Sequence, residues 1–256
     1  MTYRTSRRRA LQLGLAASLA APAIARAQQG WPAGPITWIN PFPAGGGTDV
    51  FARPLAAQVG DQLGVQIIID NKGGAGGTVG ASQAAKMKPD GQTFLVGAVH
   101  HTIAPSIYKT LDYDLEKNFE PITMIALVPQ VISINSNLLK VKTAAELIEY
   151  IKKNPGKVNY ASAGAGTAHH LAGELFKLET RTDIVHVPYR GAGPAMQDLL
   201  AGNADMMFDG MGTSAQQIKA GKLLGLAVAT QKRTAEFPDM PTAAEIGVPN
   251  WIVSTW

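Results

Sequence analysis

The sequence predicts an α/β protein of two lobes, each a mainly parallel sheet flanked by helices, with a ligand cleft between them. Three observations predict it. Short β-branched runs alternate with helix-like stretches from Ile36 onward, the alternation restarts near Ala144, and each half carries a glycine-rich loop between a strand and a helix. Strand–helix–strand alternation with short connections implies parallel strands covered by helices.

The chain opens with a basic head (Arg4, Arg7, Arg8 and Arg9), an uncharged apolar run over 10–24, and Ala25-Arg26-Ala27. This is the layout of a secretory signal cleaved after Ala27. The run is shorter than the ~20 residues a membrane-spanning helix needs. Ser6-Arg7-Arg8-Arg9-Ala10-Leu11 is also similar to a twin-arginine signal, so Sec and Tat export both stay open. Five of the 23 Lys+Arg and none of the 19 Asp+Glu fall within 1–27, which leaves 18 bases against 19 acids in the exported part. A balance near zero gives no reason to expect a nucleic-acid partner. The chain has no cysteine, which excludes disulfides, thiolate zinc sites and a lipoprotein anchor. No later apolar run reaches spanning length, so no membrane insertion of the exported chain is expected.

Strands are expected over 36–39, 65–70 and 93–98, with helices over 48–63 and 79–87 between them. The first helix is expected to bury Phe51, Leu55, Val59 and Leu63, with Pro54 near its start or bending it. The apolar stretch 122–134, interrupted by Pro129, reads as an extended crossing segment. Beyond it, helices are expected over 144–153, 167–178, 194–201 and 214–220. Strands are expected over 158–162, 184–189, 206–209 and 223–229. The first lobe is assigned 28–125 plus 231–256, and the second 126–230. The sequence stops inside an apolar run, Ile252-Val253-Ser254-Thr255-Trp256, and reads as truncated at its C-terminus.

The chemistry is expected in the loops Gly45-Gly46-Gly47-Thr48-Asp49 and Ser162-Ala163-Gly164-Ala165-Gly166-Thr167. In open α/β sheets ligands bind at the carboxyl ends of strands, where such loops lie. Glycine lets backbone approach a ligand, and a helix N-terminus favours negative charge. A single loop of this kind often serves chain geometry only, whereas two facing each other make a clamp for carboxylates. Nucleotide binding is disfavoured. G-x-G-x-x-G fails at Val50, Val79 and His169, and no G-x-x-x-x-G-K-[ST] occurs. A serine hydrolase using Ser162 is the runner-up, although Tyr160-Ala161-Ser162-Ala163-Gly164 lacks the first glycine of a nucleophile elbow. His170 and Glu174 are four apart on an expected helix but lack an H-E-x-x-H context, so neither metal nor cofactor is expected.

The residues of these loops carry a resemblance. Pro41-Phe42-Pro43-Ala44-Gly45-Gly46-Gly47-Thr48-Asp49 resembles the signature of the Bug family, the receptors of tripartite tricarboxylate transporters. Similar matches follow in order at 71–80, 88–91, 187–191, 198–202, 207–209 and 237–242, covering essentially all of 31–256. The resemblance implies a periplasmic binding-protein type II-like architecture that closes on an organic acid and delivers it to membrane permease subunits. It nominates as ligand-binding Phe42, Gly47, Thr48 and Asp49 in one lobe, and Gly164, Gly166, Thr167 and His170 in the other. Ala98, His101, Thr102, Ser162 and Asp209 are weaker nominations. Ala44 stands where the family often has proline, and family chains continue past this endpoint and return to the first lobe. The expected function is thus a periplasmic solute receptor and not an enzyme, with a sensor feeding a signalling partner as a further alternative. Which acid, or which amino acid paired through Asp49 or Asp209, stays open.

Overall fold

The computed structural model describes residues 30–256, and the export signal expected over 1–27 lies outside the described residues. The first lobe comprises β1 (Ile36–Asn40), α1 (Gly47–Leu63), β2 (Ile67–Asn71), a 3-10 turn (Ala75–Gly77), α2 (Thr78–Ala85) and β3 (Thr93–Leu95). Its strands lie in the order β2-β1-β3, all parallel. Helices α3 (His100–Ile107) and α4 (Leu115–Asn118) follow, and neither was expected from the sequence.

A stretch outside any helix or strand over 119–127 leads into β4 (Val128–Ile134), which opens the second sheet. The remaining elements are α5 (Ala144–Lys153), β5 (Asn159–Ser162), α6 (Ala168–Thr180), β6 (Val185–Pro188), α7 (Ala192–Ala201), β7 (Met206–Gly210), α8 (Met211–Lys219), β8 (Leu224–Val228) and β9 (Ser254–Thr255). The order is β6-β5-β7-β4-β8, with β9 paired to the start of β4. β5 is parallel to β6 and β7, while β4 runs against β7, β8 and β9. One reversed strand thus makes a mainly parallel sheet mixed.

Local sequence accounts for the element ends. Thr143 caps α5 by accepting from the Glu146 amide, and the Glu146 carboxylate accepts in turn from the Lys142 amide. Thr167 caps α6 through the His170 amide. Gly64 and Gly202 end α1 and α7 in left-handed conformation, which a side chain would disfavour.

Two expectations are corrected. Helix α1 buries Asp49, Ala52, Ala56 and Gly60, while Phe51, Leu55 and Val59 are half-buried and Leu63 is exposed. The last turn of the helix lies close to the connection into β2, since a Cβ on Gly60 would stand 2.9 Å from the Val65 carbonyl. Pro54 is inside the helix on its exposed side. The second correction concerns 231–256, assigned to the first lobe. Ala243, Val248 and Trp251 pack into the core of the second sheet beside Phe176 and Phe208. The Val253 amide bonds the Ala229 carbonyl, and its own carbonyl accepts from Gln130. Contact with the first lobe comes at the last residue, whose carbonyl accepts from the Val99 amide.

Trp251 is the largest fully buried side chain of that core. Its ring meets Phe176 and Phe208 edge-on, each with centroids 5.8 Å away, and its Nε1 donates to the Ala172 carbonyl at 3.0 Å. Trp251→Ala is therefore expected to destabilise the protein by roughly 3–5 kcal/mol. Urea unfolding measures this, and a loss under 1 kcal/mol would mean that the tail is not part of the core.

Candidate functional site

The first glycine loop is tied down from beneath by one carboxylate. Asp49 Oδ1 accepts from the Asn40 and Asn71 side-chain amides at 3.2 and 3.1 Å. Its Oδ2 accepts from the Gly45 amide at 2.9 Å and Arg53 Nε at 2.7 Å. Asn40 Oδ1 receives the Thr48 hydroxyl, and Asn71 donates to the Phe42 carbonyl. Burial alone would raise the Asp49 carboxyl. Arg53, the Gly45 amide and Asn71 outweigh it and hold the group below the ordinary carboxylate range. Asp49, nominated as ligand-binding, is thus occupied in shaping the loop and does not line the cleft.

The second loop is built the same way from different donors. Ser162 Oγ accepts from the Gly164 amide at 3.1 Å and lies 2.6 Å from His186 Nε2. The Gly166 amide donates to His170 Nδ1 at 3.2 Å, and the Thr167 hydroxyl donates to the Gly164 carbonyl. The His170 and His186 rings stack at 4.1 Å. Burial first, then the His170 charge, pushes His186 down to about 4. Ser162 is fully buried, so it offers no accessible nucleophile.

Between the loops lies a cleft with a cavity of about 90 Å³ that opens partly to solvent. Five helices present their first turns to it, through Gly47 and Thr48 of α1, His100 of α3, Ala168 and His169 of α6, Ala192 of α7, and Gly212 and Thr213 of α8. Glycines precede α1, α7 and α8, at 46, 191 and 210, and no side chain caps those three ends. Backbone N–H groups of these first turns are the donors the cleft offers. No Asp, Glu, Lys or Arg is among the lining residues.

The lobes meet across this cleft through glycines of the second lobe set close against main chain and side chains of the first. A Cβ on Gly193 would stand 3.1 Å from the Ala44 carbonyl, and one on Gly191 would stand 2.6 Å from Pro43 Cδ. Phe51 of α1 reaches over to Gly212 in the same manner.

Of the nominated residues, Phe42, Gly47, Thr48, Ala98 and Thr167 line the cleft. Asp49, His101, Thr102, Ser162, Gly164, Gly166, His170 and Asp209 do not. His101 bonds Ala98 and Gly77, and Thr102 donates to the Val99 carbonyl. Asp209 lies beneath the lining, fully buried, with Oδ2 accepting from the Thr213 and Ser214 hydroxyls and Oδ1 3.5 Å from His169 Nε2. In both lobes the nominated histidine is structural and its predecessor, His100 or His169, faces the cleft. The sequence also left unnominated Phe51, Ala192, Gly210 and Thr213, which line it. First-turn position was the available signal for His169.

Two α/β lobes closing on a cavity rimmed by helix N-termini define a solute receptor of the periplasmic binding-protein type. Residues 51–256 match the tripartite tricarboxylate transporter family receptor, and the chain belongs to that family. Three solved structures are similar throughout. The periplasmic binding protein BugD is 39% identical with a TM-score of 0.84, over 88% of this chain and 75% of that one. An R. palustris protein with adipate is 36% identical with a TM-score of 0.86, over 89% and 76%. MatC from Rhodopseudomonas palustris with bound malate is 32% identical with a TM-score of 0.82, over 88% and 77%. The family is one of substrate-binding receptors, not enzymes. No helix among the described residues is long and apolar enough to cross a membrane.

Asp49→Asn leaves the knot one donor too many and removes its charge, which is expected to cost roughly 1–3 kcal/mol at neutral pH. The folded group is held low. Its contribution is therefore complete above the unfolded value near ~4 and is lost as pH falls through the folded value. Urea melts of both proteins across acidic pH check this, and parallel pH profiles would contradict it.

Proposed function

We propose that the cleft captures a small dicarboxylate in the periplasm and delivers it to the permease subunits of a tripartite tricarboxylate-type transporter. The observation that carries the reading is the convergence of five helix N-termini on a cavity lined by no charged side chain. Each such end favours an anion by ~0.3–1 kcal/mol when exposed and by more when partly buried. Two facing sets suit a molecule with a carboxylate at each end. The adipate and malate bound by two similar proteins support the ligand class. Family membership supports the permease as partner and the periplasm as location.

A thermal-shift panel of mono-, di- and tricarboxylates, aromatic acids and amino acids tests the reading. Ligand at a hundred times its Kd adds ~2.7 kcal/mol, or roughly 5–10 °C at this size. Dicarboxylates are expected to give that shift, and silence from all acids would overturn the proposal.

Closure has its own test. Gly193 sits in the first turn of α7 against the Ala44 carbonyl of the other lobe. Gly193→Leu improves helix propensity by up to ~1 kcal/mol yet props the lobes apart. Affinity is expected to fall at least about tenfold while unfolding stability holds or rises, because ligand binds the closed state. Unchanged affinity by calorimetry would exclude this seam from closure.

A further inference from the structure

Asp209 is fully buried, and the pair of groups around it is chemically incomplete. Two hydroxyls, from Thr213 and Ser214, donate to its Oδ2. Its Oδ1 has no hydrogen-bond partner among the described residues, and His169 Nε2 stands 3.5 Å away. No Lys or Arg pairs with Asp209 among the described residues. His169 itself lines the cleft from the first turn of α6, and its Nδ1 is buried without a partner. The imidazole therefore stands between the carboxylate beneath the floor and whatever enters above it.

A carboxylate entering the cleft would add a second negative charge near the buried Asp209. No lining Lys or Arg is present to offset it. Resting on the carboxylate-receptor reading, we infer that His169 compensates that charge: ligand capture draws one proton from solvent onto its ring, which then bridges Asp209 and the ligand. In the protonated ring both nitrogens donate, one to Asp209 Oδ1 and the other to the cleft, so both unpartnered atoms gain a partner. In the empty cleft burial lowers His169, and Asp209 pulls it back up. A ligand carboxylate adds to that upward pull.

The other titratable groups facing this point favour His169 as the site of uptake. His100 comes from α3 of the first lobe, packed edge-on against Phe42 and beside His101, and it has no carboxylate partner. Burial first, then His101 and His169, hold His100 well below its ordinary value. His170, next along α6, accepts the Gly166 amide through Nδ1 and belongs to the loop.

The sign follows from linkage. His169 binds its proton more tightly with ligand than without, so affinity for a fully ionised diacid rises as pH falls between the two values. Titration calorimetry with adipate between about pH 6.5 and 8, where carboxylates of ordinary value near ~4 stay ionised, tests it without any variant. Buffers of different ionisation enthalpy count the protons exchanged. Net uptake approaching one proton is expected, with Kd tightening up to about tenfold per pH unit. His169→Gln should bind adipate more weakly and lose both uptake and slope, while His100→Gln should keep the uptake. Should His169→Gln not fold, Asp209→Asn, which removes the buried charge, is expected to reduce the uptake in the same way. Adipate binding with no uptake and a flat pH profile overturns the inference and leaves the receptor reading intact, as does uptake that survives in His169→Gln. Absence of binding by every carboxylate overturns both.

Discussion

The Asp49 carboxylate and its four donors are the constraint from which the first half of the site follows. A glycine-rich turn has little of its own to hold one shape, because each glycine opens backbone conformations closed to other residues. Here a buried acid gathers the ends of β1 and β2, the loop amide at Gly45 and the Arg53 guanidinium into one knot. That knot sets the direction of α1, and the direction of α1 aims its unsatisfied amides at the cleft. The second loop reaches the same end with Ser162, Thr167 and His170 in place of the acid. Both lobes thus use their most polar loop side chains on shape and leave backbone to face the ligand.

This division of labour explains how a site for anions carries no cationic side chain in its wall. Fixed amide dipoles lose no side-chain entropy when a ligand arrives. They also discriminate weakly among acids of similar length. Discrimination therefore falls to the few side chains that differ in chemistry from their surroundings, namely Thr48, Thr213, His100 and His169, and to the shape set by Phe42 and Phe51.

Much of the fold was legible because periodicity and caps agree along the chain. Helix α5 matches the expected bounds, and β5 to β8 fall within a residue of the strands expected there, while β4 forms at the end of the stretch read as an extended crossing segment. The failures have physical causes. The expected stripe of large residues on α1 gave way to Ala52, Ala56 and Gly60, since a helix pressed onto a sheet selects small side chains. Helix α3 carries Pro105 in its interior and α4 is a single turn, so neither reads as a helix from its pattern. Trp251 lies far in sequence from Ala172, Phe176 and Phe208, which enclose it, and no local signal announces such packing. The site was legible at the level of loops, and among single residues Phe42, Gly47, Thr48, Ala98 and Thr167 line the cleft while the nominated histidines do not. One step along a helix turns a side chain by about 100°, enough to exchange a structural histidine for one that faces the cleft.

The meeting of Gly193 with Ala44, and of Gly191 with Pro43, has a consequence for how such a receptor diverges. Gly46, Phe51, Ala192 and Gly212 line the cavity and also take part in this meeting of the lobes, so the fit of the seam is tied to the wall beside it. Substitutions at these positions act on the choice of metabolite and on the movement that traps it together. A lineage built on this seam changes its diet at positions that also set its grip.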